Sequence, residues 1–103
     1  MHAMIYITQL IFLKEGKEDA FLEFESYAIP LMEAHKGKMI YRVRPEKAAY
    51  ISANEEVPYE IHFLSFESEE NLSAFMKDDR RLNHIHLKEE SIKSTFLVKG
   101  AKM

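Results

Sequence analysis

The sequence predicts a single α+β domain with the element order β-α-β-β-α-β. Between the first two strand-like runs, apolar residues recur every three or four positions, which is the period of an α-helix. The 103 residues suffice for one domain and are too few for two ordinary ones, so 1–103 is predicted to fold as one unit. Runs rich in β-branched and aromatic residues, typical of strands, lie at 4–13, 38–44, 59–67 and 95–99.

The segment 17–35 is predicted to be the first helix. Gly37 follows as the expected C-terminal cap, after a basic last turn that suits the helix dipole. Pro30 removes one backbone hydrogen bond inside this helix, so we expect a kink near it. The predicted buried stripe consists of Phe21, Phe24, Ala28, Leu31 and His35.

The second half of the chain is predicted to contain the other helical region. Segment 46–58 is the least regular, and 48–53 within it could form a short strand or hairpin arm. Ser68 is expected to cap the second helix, because a serine hydroxyl accepts a hydrogen bond from a backbone N–H of the first turn. Asp78-Asp79 is expected to interrupt that helix before a further helical stretch at 80–90.

This order is that of a ferredoxin-like fold, a four-stranded antiparallel sheet with its helices on one face. A sheet face that meets water should alternate apolar and polar residues. In the first strand both alternating sets of side chains are largely apolar, so the open face needs a cover. A second copy packed sheet to sheet would cover it and close an α/β barrel, and we therefore predict a homodimer.

Composition excludes several classes of function. The net charge of −3 argues against a nucleic-acid partner, because phosphate binding needs concentrated positive charge. The absence of cysteine excludes disulfides and thiolate chemistry. The apolar run at 4–13 is too short to span a membrane, so no membrane partner and a cytoplasmic location are expected.

Five segments spread along the chain from residue 4 to residue 80 carry a family resemblance. They are MIYI at 4–7, LKEGKEDAF at 13–21, IPLMEAHKG at 29–37, EIHFLSFES at 60–68 and AFMKDDR at 74–80. With them the chain resembles the dimeric α/β-barrel superfamily, in particular its antibiotic-biosynthesis-monooxygenase-like members and its domains of unknown function. The resemblance implies sheet-to-sheet dimers with a ligand cavity between sheet and helices or within the barrel. Families in this superfamily include cofactor-free oxygenases and isomerases as well as proteins with no known activity, so the resemblance leaves the activity open.

His62 and Arg42 are the candidate catalytic residues. His62 lies among apolar residues in the third strand, where an imidazole could act as a general base or be a core histidine satisfied by a hydrogen bond. Arg42 in the second strand could bind a carboxylate or enolate, form a salt bridge between subunits, or extend its charged end into water from the sheet edge.

The remaining candidates are ligand contacts. The tyrosine hydroxyls could orient a ligand oxygen or lie at the rim of an interface. His84 and His86, two residues apart on a helix, point in different directions, so no metal site is predicted. The candidate ligand-binding residues are Tyr6, His35, Tyr41, Tyr59 and Phe66.

Two functions are consistent with these features. The first is a small dimeric protein that binds a small apolar or aromatic molecule in a pocket at the sheet, without a cofactor. The alternative is a cofactor-independent monooxygenase or isomerase-like enzyme acting on a small aromatic or polyketide-type substrate.

Overall fold

The computed structural model describes residues 3–103 and confirms the predicted α+β class. The region expected to hold the second helix contains three short helices, which pack on the same side of the sheet as the first. The elements are β1 (Ile5–Leu13), α1 (Glu18–Met32), β2 (Gly37–Val43), β3 (Glu60–Phe66), α2 (Glu69–Lys77), α3 (Asp79–Leu82), α4 (Ile85–Ser91) and β4 (Ile92–Gly100).

The four strands form one antiparallel sheet in the order β2-β3-β1-β4, as the ferredoxin-like prediction requires. The two central strands, β1 and β3, pair with each other along nearly their whole length. Side chains on one face of the sheet pack against the helices, and burial of their apolar surface is the main force that holds the layers together. The core comprises Ile5, Ile7, Phe24, Ala28, Leu31, Met32, Leu64, Phe66 and Phe75.

The other face of the sheet is apolar and open, as the sequence predicted. Tyr41, Phe96 and Val98 on this face are 64 %, 63 % and 67 % exposed. Exposed aromatic and β-branched side chains in such a patch are typical of a surface that binds a protein or a ligand.

A β-bulge at Ile40 shifts the register of β2 against β3. Met39 lies opposite Leu64, whereas Tyr41, two residues on, lies opposite Phe63, the very next residue of β3. One extra residue in β2 therefore separates two regularly paired stretches. After the bulge, Arg42 lies opposite His62 and shares its face of the sheet.

The predicted cap at the end of the first helix is wrong. The helix ends at Met32, a 3₁₀ turn follows at Glu33–His35, and Lys36 takes the left-handed conformation (φ 57°) that was expected of Gly37. Gly37 instead begins β2. It is needed there because a Cβ atom would lie 2.5 Å from the ring of Phe66.

The predicted strand or hairpin arm at 48–53 is also wrong. In the described part of the chain, only a 3₁₀ turn at Lys47–Ala49 lies between β2 and β3. Most of the side chains from 46 to 56 are exposed, so no packing favours an extended conformation there.

The local signals that start the later helices are confirmed. The Ser68 hydroxyl accepts a hydrogen bond from the backbone N–H of Asn71 at 3.1 Å. Asp78 ends α2 and caps α3 by accepting from the N–H of Arg80 at 2.8 Å. The predicted helix 80–90 is divided at Asn83–His84 into α3 and α4, and β4 begins at Ile92, earlier than expected.

Candidate functional site

A cavity of about 400 Å³ lies between the sheet and the helices. This volume falls in the range of small-molecule sites. Its walls are mainly aliphatic, aromatic and methionine side chains, into which a few ionisable groups project. The ionisable side chains along the wall are Glu25, His62, Arg81, Lys88 and Lys99.

His62 lies at the centre of the sheet and faces this cavity. Its side chain is 1 % exposed, and its ring lies 6.4 Å from the ring of Phe21 in a stacked orientation. The Nε2 atom of His62 is hydrogen-bonded to Oε2 of Glu60. A carboxylate can only accept, so Nε2 carries the proton, and in the neutral ring Nδ1 keeps the free lone pair.

Glu60 holds three cationic or potentially cationic groups together. Besides His62, it accepts hydrogen bonds from Nε of Arg42 at 2.7 Å and from Nη2 of Arg44 at 2.8 Å. Burial raises the pKa of the Glu60 carboxyl, but the hydrogen bonds from His62, Arg42 and Arg44 together outweigh burial and lower the pKa to about 2. The Glu60 carboxylate is therefore charged at neutral pH.

The bulge in β2 makes this cluster possible. If the side chains of β2 alternated regularly from Met39 onward, Arg42 would point to the open face. The extra residue reverses the alternation, so Arg42 and Arg44 both reach the carboxylate on the helix side. Arg42 is not part of the cavity wall and is connected to it through Glu60, which contacts His62.

Glu25 projects from α1 into the cavity. Burial raises the pKa of its carboxyl, opposed by the charges of His62 and Arg42. A carboxyl in such surroundings can take up a proton more easily than one in water. Glu25 and His62 thus bring a carboxyl group and an imidazole to the wall of the same cavity.

Arg81 and Lys88 bring positive charge to the same cavity. The Arg81 guanidinium lies over the rings of Phe24 and Phe75, 5.6 and 5.4 Å from their centroids. Burial lowers the pKa of Arg81, although the nearby charge of Glu25 raises it in part. Burial, with repulsion from Arg81, also lowers the pKa of Lys88.

Tyr6 and Tyr41 lie on the opposite face of the sheet from the cavity. Both rings stack on Phe63, with centroids 5.8 and 6.1 Å away. The sheet thus separates them from His62, and any ligand they contact would lie on the open face. Phe66, in contrast, lines the cavity.

His35 and Tyr59 lie outside the cavity wall. His35 Nε2 is 2.7 Å from Oδ2 of Asp78, and this contact ties the 3₁₀ turn to the junction of α2 and α3. Hydrogen bonds from Arg80 and His35 hold the pKa of the Asp78 carboxyl well below its usual range. Tyr59 stacks under the guanidinium of Arg44 at 4.6 Å and lines a separate open groove.

Four residues of the candidate site were missing from the sequence-based set: Glu25, Glu60, Arg81 and Lys88. The sequence did contain a signal that Glu25 is partly buried. Glu25 lies next to Phe24 and three residues before Ala28, so it borders the apolar stripe of the first helix. Glu60 shares a strand face with His62 by simple alternation. Arg81 and Lys88 gave no local signal, since only tertiary packing buries them.

Within residues 3–103 no helix is long and apolar enough to cross a membrane. No group of three or more histidine, cysteine or acidic side chains in that range is arranged to hold a metal ion. His84 stacks on Tyr27 with ring centroids 3.7 Å apart.

Comparisons with known proteins show the fold. No protein-family model and no curated protein matches the chain. A solved protein of unknown function from Rhodopseudomonas palustris matches with a TM-score of 0.85 and 13 % identity, over 100 % of this chain and 85 % of its own. A protein from Nitrosomonas europaea that bears the name of the antibiotic biosynthesis monooxygenases matches with a TM-score of 0.72 and 12 % identity, over 100 % and 93 %.

A third solved structure is described as having a ferredoxin-like fold. It is a dimeric protein of unknown function with a ferredoxin-like fold from Bacteroides fragilis, with a TM-score of 0.67, 13 % identity, and coverage of 96 % of each chain. These identities are low, so the likeness extends to the fold alone. The chain is a ferredoxin-like α+β protein whose structural neighbours include the monooxygenase-like proteins that its sequence resembles.

Proposed function

We propose that the protein binds a small, mostly apolar or aromatic molecule in the cavity between the sheet and the helices. The observation that carries this proposal is the cavity itself, about 400 Å³ in volume with a largely apolar wall. Well-packed protein interiors rarely leave such a space. An apolar wall with a few convergent polar groups is the usual composition of a small-molecule site.

His62 is the proposed polar contact for the ligand. Glu60 fixes its orientation and its tautomer through Nε2, which leaves Nδ1 free to accept a hydrogen bond. Arg42 acts as a positioning residue in this proposal, because it contacts Glu60 and not the cavity.

A second copy of the chain is the proposed cover of the open face. Aromatic and β-branched side chains on all four strands are available for it, and the rings of Tyr6, Phe63 and Tyr41 already stack in a row. The solved neighbour from Bacteroides fragilis is named as dimeric, which favours this arrangement. Native mass spectrometry should give a dimer, and the Phe96→Lys variant should give a monomer. A wild-type monomer at micromolar concentration would contradict the pairing.

Ligand binding is tested by filling the cavity. Ala28 lines it, is buried in α1 and faces the sheet, whereas Ala74 in α2 is exposed. We expect the neutral dye N-phenyl-1-naphthylamine to bind the wild-type protein and to gain fluorescence. Ala28→Leu should weaken binding by about tenfold or more, because its added atoms occupy the cavity. Ala74→Leu, the matched control, should leave binding unchanged. Equal binding by both folded variants would place the dye elsewhere and contradict the proposal.

A cofactor-independent monooxygenase or isomerase-like enzyme is the second candidate. The observation that favours it is the presence of Glu25 and His62 on one apolar wall, since both reactions require a base that removes a proton from the substrate, from oxygen in a phenol or from carbon in a β-diketone. A panel of phenols and β-diketones would be assayed for oxygen consumption and for deuterium uptake from D₂O. Turnover that is lost in His62→Gln, with folding intact, would support this candidate. Binding of the panel without either reaction would leave the protein a binder.

A further inference from the structure

We infer that the ligand is a small apolar carboxylic acid, bound as its anion with the carboxylate on Arg81. This inference rests on the proposed function and adds the chemical class of the ligand. It depends on an imbalance of charge along the cavity wall, where the buried Arg81 guanidinium has no anionic partner of its own.

Arg81 is buried with its hydrogen-bonding capacity largely unused. The residue is 6 % exposed, and its Nε atom has no hydrogen-bond partner in the described part of the chain. One terminal nitrogen donates to the backbone carbonyl of Met76 at 3.3 Å. Within residues 3–103 no carboxylate lies at ion-pairing distance from it. A buried cation in this state is costly unless something pairs with it.

The two phenylalanine rings hold the guanidinium without occupying its donors. Phe24 and Phe75 contact it through cation–π interactions, which act on ring faces. The N–H groups of a guanidinium point outward within its plane. They therefore stay available for a carboxylate, whose two oxygens match the arginine fork.

The neighbouring charges leave this part of the wall positive. The positive charges of Lys88 and Arg81 lie close enough to repel each other. Glu25 is the nearby acid whose negative charge attracts both. Lys99 also reaches the wall, but its ammonium pairs with Glu69 at 2.9 Å. The negative charge of Glu60 is already shared by His62 and two arginines. An incoming carboxylate would therefore neutralise an excess of positive charge, and the apolar wall would enclose the rest of the molecule.

The test compares acids with their neutral amides of the same shape. Isothermal titration at pH 7.5 would use 2-naphthoate against 2-naphthamide and octanoate against octanamide. In the wild-type protein we expect the acid of at least one pair to bind about tenfold more tightly than its amide. Arg81→Met should abolish this preference by weakening the acid and sparing the amide. Arg80→Gln, a neighbouring arginine whose side chain is 68 % exposed, should keep it.

A second variant separates a charge effect from damage to the fold. Glu25→Gln removes the acid that repels an incoming carboxylate, so it should tighten the binding of the acids and leave the amides unchanged. General damage to the fold would instead weaken the binding of both the acids and the amides. If Arg81→Met does not fold, Lys88→Gln and Glu25→Gln should still change acid binding in opposite directions.

The outcomes distinguish this inference from the proposed function. Acids and amides that bind equally well would overturn the carboxylate inference and leave the proposed function in place. If neither acids nor amides bind, while N-phenyl-1-naphthylamine also fails to bind, the proposed function and this inference fall together. Binding of the neutral dye and the amides, with the acids rejected, would overturn the inference alone.

Discussion

The carboxylate of Glu60 and the imidazole of His62 lie two residues apart on the same face of β3 and are hydrogen-bonded to each other inside the molecule. The same carboxylate also binds the two arginines of β2. One acid thus serves three donors, and its removal leaves all three without their common acceptor. Glu60 is therefore central to the fold as well as to the site.

Replacing Glu60 with glutamine should destabilise the protein. The amide keeps the size of the side chain but removes the charge that two arginines and His62 share. Loss of one partner of a buried ion pair costs about 3–5 kcal/mol, and the partial exposure of the arginines reduces the expected loss here to about 2–3 kcal/mol. Urea unfolding would measure it. Glu67→Gln, at an exposed position just beyond the opposite end of β3, should cost little, and an equal loss in both variants would contradict the central role of Glu60.

The low pKa of Glu60 also makes stability depend on pH. Its pKa in the folded state is about 2, against a value of 4.5 for an unperturbed glutamate. The depressed pKa stabilises the folded state fully above pH 4.5, and this contribution is lost as the pH falls through about 2. It amounts to at most about 3 kcal/mol. Urea midpoints measured from pH 6 to pH 2 should therefore fall less steeply in Glu60→Gln than in the wild-type protein. Parallel pH curves would show that other carboxylates govern acid unfolding.

Gly37→Ala should destabilise the protein because the ring of Phe66 occupies the space of the new methyl group. The nearest ring atom is 2.5 Å from the position of the Cβ, and a buried ring in a packed core cannot move without cost. We expect a loss of about 1–3 kcal/mol in thermal or urea unfolding. Gly100→Ala is the matched control, because within residues 3–103 no atom beyond Gly100 and its two chain neighbours lies within 4 Å of its Cβ position. An unchanged midpoint for Gly37→Ala would mean that Phe66 has room to move aside.

Asp78→Ala should lower the unfolding midpoint more than Asp79→Ala. Asp78 accepts hydrogen bonds from the backbone of Arg80 and from His35, so its loss removes a helix cap and the tie to the 3₁₀ turn together. Asp79 makes neither contact. Amide hydrogen exchange should show faster exchange at 33–35 and at the start of α3 in the first variant only. Equal exchange rates in the two variants would show that contacts other than those of Asp78 hold the 3₁₀ turn against α3.

Local signals in the sequence predicted most of the fold. The hydroxyl of Ser68 and the alternation of Ile5 and Ile7 act over a few residues, so their consequences can be inferred without a structure. Gly37 was misassigned because a glycine after a helix usually serves as the cap. Its actual role depends on Phe66, which is distant in sequence and comes close only when β2 pairs with β3.

The candidate site was harder to predict, because which side of the sheet a residue faces is a tertiary property. Tyr6 and His62 both lie on central strands among apolar neighbours, and the sequence does not reveal that they face opposite sides. Arg81 resembles Arg80 in sequence, yet one is buried over two phenylalanine rings and the other is solvent-exposed. The break after α2 and the packing of α3 against α1 produce this difference.

Because of the bulge, the effect of deleting a single residue from β2 depends on which residue is deleted. Ile40 is the extra residue, so a gene that lost its codon would encode a regular strand with Arg42 and Arg44 still on the helix side. Loss of the codon for Val43 would instead turn Arg44 toward the open face and away from Glu60. The variant that lacks Ile40 should therefore have a higher melting temperature than the variant that lacks Val43. For an evolving lineage, two in-frame deletions three codons apart would then differ sharply, one tolerated and the other damaging to the ion cluster.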